Sequence, residues 1–229
     1  MGVWYLIAGL ADNISILPYP HDTAMEVLQL LNNISTYKIL AFTLIRVLLG
    51  LSLGIISGIA LAILCHKFYT VKLFFSPVIS IIRSTPIASF IALLWVLLDG
   101  NLLAIAIAFL MVMPIVWQNT LEGFASIPRE LVEVTQVFEL SLKRRYEVLI
   151  LPVLAKYIFP AVITSVGLAW KSEIAAEIIA YTRDSIGMHI NDAKMFSQTT
   201  TVFAWTVIII SMSLCLEFII KKLLGRVNR

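Results

Sequence analysis

Five stretches of this chain are long and apolar enough to cross a lipid bilayer, and this constrains its fold more than any other feature. A helix needs about 20 predominantly apolar residues to traverse the hydrocarbon core. Such runs occupy approximately residues 39–65, 71–98, 102–118, 154–180 and 201–220. Of the 229 residues, 60% are hydrophobic and 14% charged, against about 25% charged in an ordinary soluble domain. One water-soluble core of this size cannot hide that much apolar surface, so the bilayer is the solvent. The expected fold is an all-α integral membrane protein.

Orientation follows from the basic residues, because cytoplasmic flanks carry the excess of lysine and arginine. One set of span ends collects Lys67, Lys72, Arg129, Lys143, Arg144, Arg145, Lys156, Lys221, Lys222, Arg226 and Arg229; the other has only Lys38, Arg183 and Lys194. This places the long polar loop of residues 122–151 and the C-terminus in the cytoplasm. The net charge of +3 is a membrane-orienting pattern, not a nucleic-acid face.

The first 38 residues form a separate N-terminal segment. Val3 to Ala11 is apolar but too short to span, so either the chain starts outside or an additional helix is truncated there. With no basic region before Met1–Leu10, a cleavable signal peptide is not expected. Asp22 to Leu31 reads as a capped amphipathic helix lying along the extracytoplasmic interface. In the first span, Gly50, Gly54 and Gly58 recur every four residues and line one helix face. That strip allows close packing against another helix of the same chain or of a second copy.

Cys65 and Cys215 lie in apolar runs and read as small hydrophobes. His21, His66 and His189 lack metal-ligand spacing, and no nucleophile–base grouping suggests catalysis; no catalytic residue and no metal site are expected. Between the third and fourth spans, Ser126 to Phe138 reads as a short helix capped by Ser126. Leu142 to Ile150 reads as a second one, capped by Ser141 and ending before Leu151-Pro152. Such a basic amphipathic pair is either a surface hairpin or a dock for a soluble partner.

The order Glu133-Val134-Thr135, a bend at Glu139, then Val148-Leu149-Ile150-Leu151-Pro152 resembles the EAA loop of ABC importer permeases, the membrane components of binding-protein-dependent transporters. Arg83-Ser84-Thr85-Pro86, Gly167-Leu168-Ala169-Trp170, Ala176-Glu177, Ser185-Ile186-Gly187 and Phe203-Ala204-Trp205-Thr206 extend the resemblance over most of the chain beyond Ile39. It is greatest to the nitrate/sulfonate/taurine group. Two positions depart from the family pattern: Val134 and Thr135 replace alanines, and Glu139 replaces the bend glycine.

The resemblance implies a MetI-like five-helix permease core in a bacterial inner membrane, working as a dimer with a second permease copy, either a homodimer or a pair with a close relative. It implies a cytoplasmic coupling helix docking on a dimer of ABC ATPase subunits, through Glu130, Glu133, Val134, Thr135, Gln136, Phe138 and Glu139. It also implies an extracytoplasmic substrate-binding protein and a small solute such as a sulfonate, nitrate or vitamin-like compound. The chain has no G-x-x-x-x-G-K-[ST] loop, so it needs no cofactor itself; ATP and magnesium belong to the partner ATPase.

Charges inside spans usually face a cavity or another helix. Candidates for the translocation path are Arg83 and Pro86 in the second span and Trp170, Lys171, Glu173 and Glu177 in the fourth. Glu173 and Glu177 lie about 40° apart on one helix face, whereas Lys171 points about 200° away from Glu173. A packing ion pair, such as Lys171 with a carboxylate on another helix, is the competing account of these charges. Arg83 and Lys171 favour an anionic solute and the two glutamates oppose it. The rival function is an ion-coupled secondary transporter using Glu173 and Glu177, although the chain shows no inverted repeat.

Overall fold

The computed structural model describes residues 2–11 and 17–227, and among these it contains helices and no strands. The N-terminal third forms α1 (Gly2–Ala11), α2 (Pro20–Asn32) and α3 (Ile34–Lys67). The helix expected from Asp22 begins at Pro20 instead, with Tyr19 at the N-cap position. Proline suits this first position because the amide it lacks has no acceptor there anyway, and Asp22 falls in the first turn, where negative charge opposes the helix dipole favourably. α2 packs on α3 and on the last helix, where Thr201 donates to Glu26 at 2.9 Å.

The second apolar run is not one straight span. α4 (Tyr69–Ser84) and α5 (Ile87–Trp95) meet at an angle of 101°. The break falls at Thr85-Pro86, both with extended ψ angles. Proline disfavours helical geometry in the residue before it and cannot donate to the preceding turn. The expected span of residues 71–98 is thereby corrected to a broken one.

α6 (Gly100–Ala125) starts where Asp99 accepts from the Leu102 amide at 2.8 Å. Gly100 and Asn101, which lie between the second and third apolar runs, are therefore its first residues. After it come α7 (Arg129–Val137), the short α8 (Leu142–Arg145), a single π turn (Tyr146–Ile150) and α9 (Leu151–Ala180). The helix expected to stop before Pro152 instead continues into α9. The wider π turn shifts hydrogen bonding to residues five apart, with the Leu151 amide reaching the Tyr146 carbonyl, so the missing donor of Pro152 is absorbed without a break. α10 (Ile186–Met195) and α11 (Thr199–Val227) complete the chain.

Among the described residues, four helices are individually long and apolar enough to cross a membrane: α3, α6, α11 and the continuous rod from Leu142 to Ala180. Counting the broken α4–α5 pair makes five. The centre of the bundle is α6, packed between α3 and α9. The glycine strip of α3 is filled by this chain's own α6. A methyl group on Gly50 would lie 2.5 Å from Ala108 Cβ, and one on Gly54 2.7 Å from Val112 Cβ. One on Gly58 would lie 2.8 Å from the Met113 carbonyl oxygen. Val47, Leu51, Ala108, Val112, Val116 and Val166 close the core around that contact.

This close approach leaves α3 no room for a side chain. Gly54→Leu is expected to cost about 1–3 kcal/mol by overpacking and to lower the midpoint of thermal unfolding in detergent. Gly167→Ala, where an added methyl meets nothing within 4 Å, should leave that midpoint unchanged or raise it.

Candidate functional site

One cluster of polar groups ties the outer ends of the bundle together. Arg46 on α3 and Glu177 on α9 form a 2.9 Å ion pair with 8% and 0% of their side chains exposed. The Glu177 carboxylate also accepts from the Thr43 hydroxyl at 2.8 Å and from the Gly187 amide at 3.2 Å. Arg46 Nε donates to Asn101 on α6 at 3.0 Å, and its terminal nitrogens reach the carbonyls of Arg183 and Asp184. α3, α6, α9 and the start of α10 thus share one network.

The local sequence builds this site. Tyr181 adopts a left-handed backbone with φ of 51°, and the Thr182 amide returns to the Glu177 carbonyl at 3.1 Å, which ends α9 in a Schellman turn. Asp184, also left-handed, redirects the chain so that Ser185 caps α10, accepting from the Met188 amide at 3.0 Å. Gly187 is required: a methyl there would lie 2.4 Å from Glu177 Cβ. Beyond the end of α9, the Tyr181 hydroxyl donates to Asp192, and this bond raises its pKa above the usual tyrosine value.

The candidate path residues separate into two groups. Trp170, Glu173 and Glu177 are enclosed by this chain's own helices, and neither Glu173 oxygen has a hydrogen-bond partner among the described residues. Arg83, Pro86 and Lys171 are exposed. The packing ion pair considered for Lys171 exists, but its cation is Arg46. Arg46 with its partners Asn101, Arg183 and Asp184, and Thr43, which donates to Glu177, were not among the expected site residues; a charge inside an apolar run was the available signal.

Arg83 borders a cleft of about 330 Å³ lined also by Thr85, Met111, Pro114 and Leu168. By helix rise, Leu168 lies about 18 Å from Ala180, and Pro114 about 21 Å from Gly100. The cleft is thus near mid-depth. Leu168 belongs to the open face of α9, where Pro160, Thr164, Lys171 and Ile179 are exposed at helical spacing.

At the opposite end, α7 buries Thr135, whose hydroxyl donates to the Val132 carbonyl at 2.6 Å. Glu130, Glu133, Val134, Gln136 and Phe138 are exposed, with Phe138 at 73%. Glu139 takes the left-handed backbone, φ 48°. The Leu140 and Glu139 amides return to the Thr135 and Gln136 carbonyls at 3.0 and 2.9 Å, which makes a second Schellman turn. The bend therefore forms without glycine, at a cost of about 1–2 kcal/mol for a side chain in that region. The cap expected from Ser126 is absent: Pro128 occupies the N-cap position and the Ser126 hydroxyl donates back to Gly123. Ser141 does cap α8, accepting from the Arg144 amide at 3.3 Å.

Comparison with known proteins places this geometry in context. Residues 50–229 match the model of the family described as binding-protein-dependent transport system inner membrane component. The transport permease protein SsuC of Bacillus subtilis (strain 168), named for aliphatic sulfonates, is 28% identical over 211 residues, 91% of this chain and 76% of that one. The taurine transport system permease protein TauC of Escherichia coli (strain K12) is 25% identical over 234 residues, 99% of this chain and 84% of that one. The bicarbonate transport system permease protein CmpB of a Synechocystis strain is 31% identical over 151 residues, 65% of this chain and 53% of that one. Among solved structures, that of an amino acid ABC transporter with histidines shares the fold with a TM-score of 0.65, at 18% identity, over 85% of this chain and 92% of that one.

Removing one partner of a buried pair strands a charge and costs about 3–5 kcal/mol. Glu177→Leu or Arg46→Met alone should sharply lower the thermal midpoint. The double variant Arg46→Met/Glu177→Leu should lose less than the sum, and a double-mutant cycle reads the coupling directly.

Proposed function

The chain belongs to the family of binding-protein-dependent transport system inner membrane components, and we propose on that premise that it is the import permease of an ATP-driven system, coupled through α7 to a separate ATPase. It is an ABC transporter permease with membrane-spanning helices. In the proposed complex two copies form the path in a bacterial inner membrane. A dimer of ATPase subunits, carrying ATP and magnesium, binds the cytoplasmic loops. An extracytoplasmic binding protein delivers the solute.

The observation that carries the coupling role is the outward face of α7. Leu131, Val134, Val137 and Phe138 are all exposed, Val137 at 81%, and Glu130 and Glu133 stand beside them on the same short helix. Apolar side chains clustered at a polar loop with acidic neighbours are suited to a protein partner. Movement imposed there has a mechanical route, because α8, the π turn and α9 form one continuous rod reaching the Arg46–Glu177 network. A push on the loop is thereby delivered to the outer end of the bundle.

The relatives named for sulfonates, taurine and bicarbonate support a small oxyanion as the solute. The ion-coupled alternative has less support: Glu177 is held by Arg46, Thr43 and Gly187, and Glu173 is sealed from solvent. Glu133→Arg combined with Phe138→Ala is expected to abolish co-purification of the ATPase and solute uptake while the chain still inserts and folds. Normal ATPase recovery with intact uptake would overturn the docking role.

A further inference from the structure

Two cations within the spans of this chain have no counter-charge. Arg83 and Lys171 make no hydrogen bond or ion pair among the described residues, and both are exposed. A basic residue near the bilayer centre costs about 2.5–3.5 kcal/mol on insertion scales unless it meets water or an anion. Nothing within the fold removes that cost here.

A second copy of the chain cannot neutralise them either. Among the described residues, the carboxylates of its spanning helices are Glu173 and Glu177, both 0% exposed, and Glu122, Glu147 and Glu217, which lie near the opposite, loop-side ends of their helices, Glu217 paired with Lys221 at 2.6 Å. Asp99 caps α6 at the outer end. No mid-depth carboxylate is left to face Arg83 across an interface.

The two cations are also placed in sequence. Leu168 lines the Arg83 cleft, and Lys171 lies one turn further along the same open face of α9, about 4.5 Å nearer its outer end. Beside Arg83, the Thr85-Pro86 break interrupts a membrane helix. Irregular backbone at membrane depth is tolerated where it lines a water-filled cavity or is buried in protein, and this one borders the cleft.

We propose that the open face of α9, together with the broken α4–α5 span, is an anion-conducting wall. Lys171 is the outer contact and Arg83 the mid-depth contact for a small singly charged oxyanion. The proposal rests on the permease reading above and extends it to named residues and a charge class. Guanidinium matches the planar oxygens of such an anion in two-point fashion, whereas the lysine ammonium acts as a point charge.

The test places a cysteine at Leu168 in the full chain with Cys215→Ser, because Cys215 is exposed and Cys65 is buried. Membrane vesicles containing the chain and its ATPase are treated with an anionic or a cationic methanethiosulfonate of similar size. The anionic reagent is expected to react faster, and Arg83→Gln to reduce the anionic-to-cationic rate ratio about tenfold, with Arg83→Lys retaining most of it. Lys171→Gln should lower the ratio less. A ratio indifferent to both neutral substitutions, or a Leu168→Cys thiol that neither reagent reaches, overturns the wall. ATPase co-purification is measured on the same vesicles: if it persists, the permease reading stands while the wall falls. If the unsubstituted chain recruits no ATPase, the permease reading falls first.

Discussion

The Arg46–Glu177 pair is the constraint on which the outer half of the molecule depends. A buried ion pair is weak evidence for stability, because desolvating both charges offsets much of their attraction. Its value here is positional. The five donor hydrogens of the guanidinium form a fixed fork, and Arg46 directs them to α6, α9 and the Arg183-Asp184 turn at once. Glu177 in turn accepts from the Gly187 amide at the start of α10. No apolar substitute could set the angle and register of four elements together.

That network and the glycine strip act at different depths on the same helix. Near the middle of α3, Gly50, Gly54 and Gly58 bring it against α6 without side chains between them; towards its outer end Arg46 holds it to α9. α3, α6 and α9 are therefore tied to one another at two depths. The broken α4–α5 pair lies outside this arrangement, with only Ile79 and Ile91 fully enclosed, so it is the element with most freedom to shift relative to the core. The π turn joins α8 to α9 in one rod, which is the route that the proposed coupling through the loop would use to reach the core.

The apolar runs made an all-helical fold with four or five membrane-length helices legible, because bilayer thickness imposes a length that hydropathy reveals. The αL bend at Glu139 was legible as a position and unexpected as a residue; two backbone hydrogen bonds from Glu139 and Leu140 compensate for the missing glycine. The 101° break could not be measured from the sequence, since Pro86 disrupts a helix without dictating the angle that neighbours α6 and α9 then set. The partner of Glu177 was equally hidden. Residues 46 and 177 are 131 apart, and helical periodicity carries no information about which faces meet across such a separation.

Burial resolves the conflict that the charges pose on the page of the sequence. Two acids and two cations within the spans predict opposite solutes when counted together, yet they occupy different environments. Glu173 and Glu177 are enclosed, and Glu177 is paired with Arg46, whose guanidinium partly cancels the acids' field at the open face. Arg83 and Lys171 stand on the accessible side, where a passing solute would meet them directly. Since Coulomb energy falls with distance and with solvent screening, the exposed pair dominates what a solute in the cleft experiences. On the proposed anion wall, location within the bundle sets the charge that counts: Arg46 answers the enclosed acid Glu177, and Arg83 and Lys171 are left exposed.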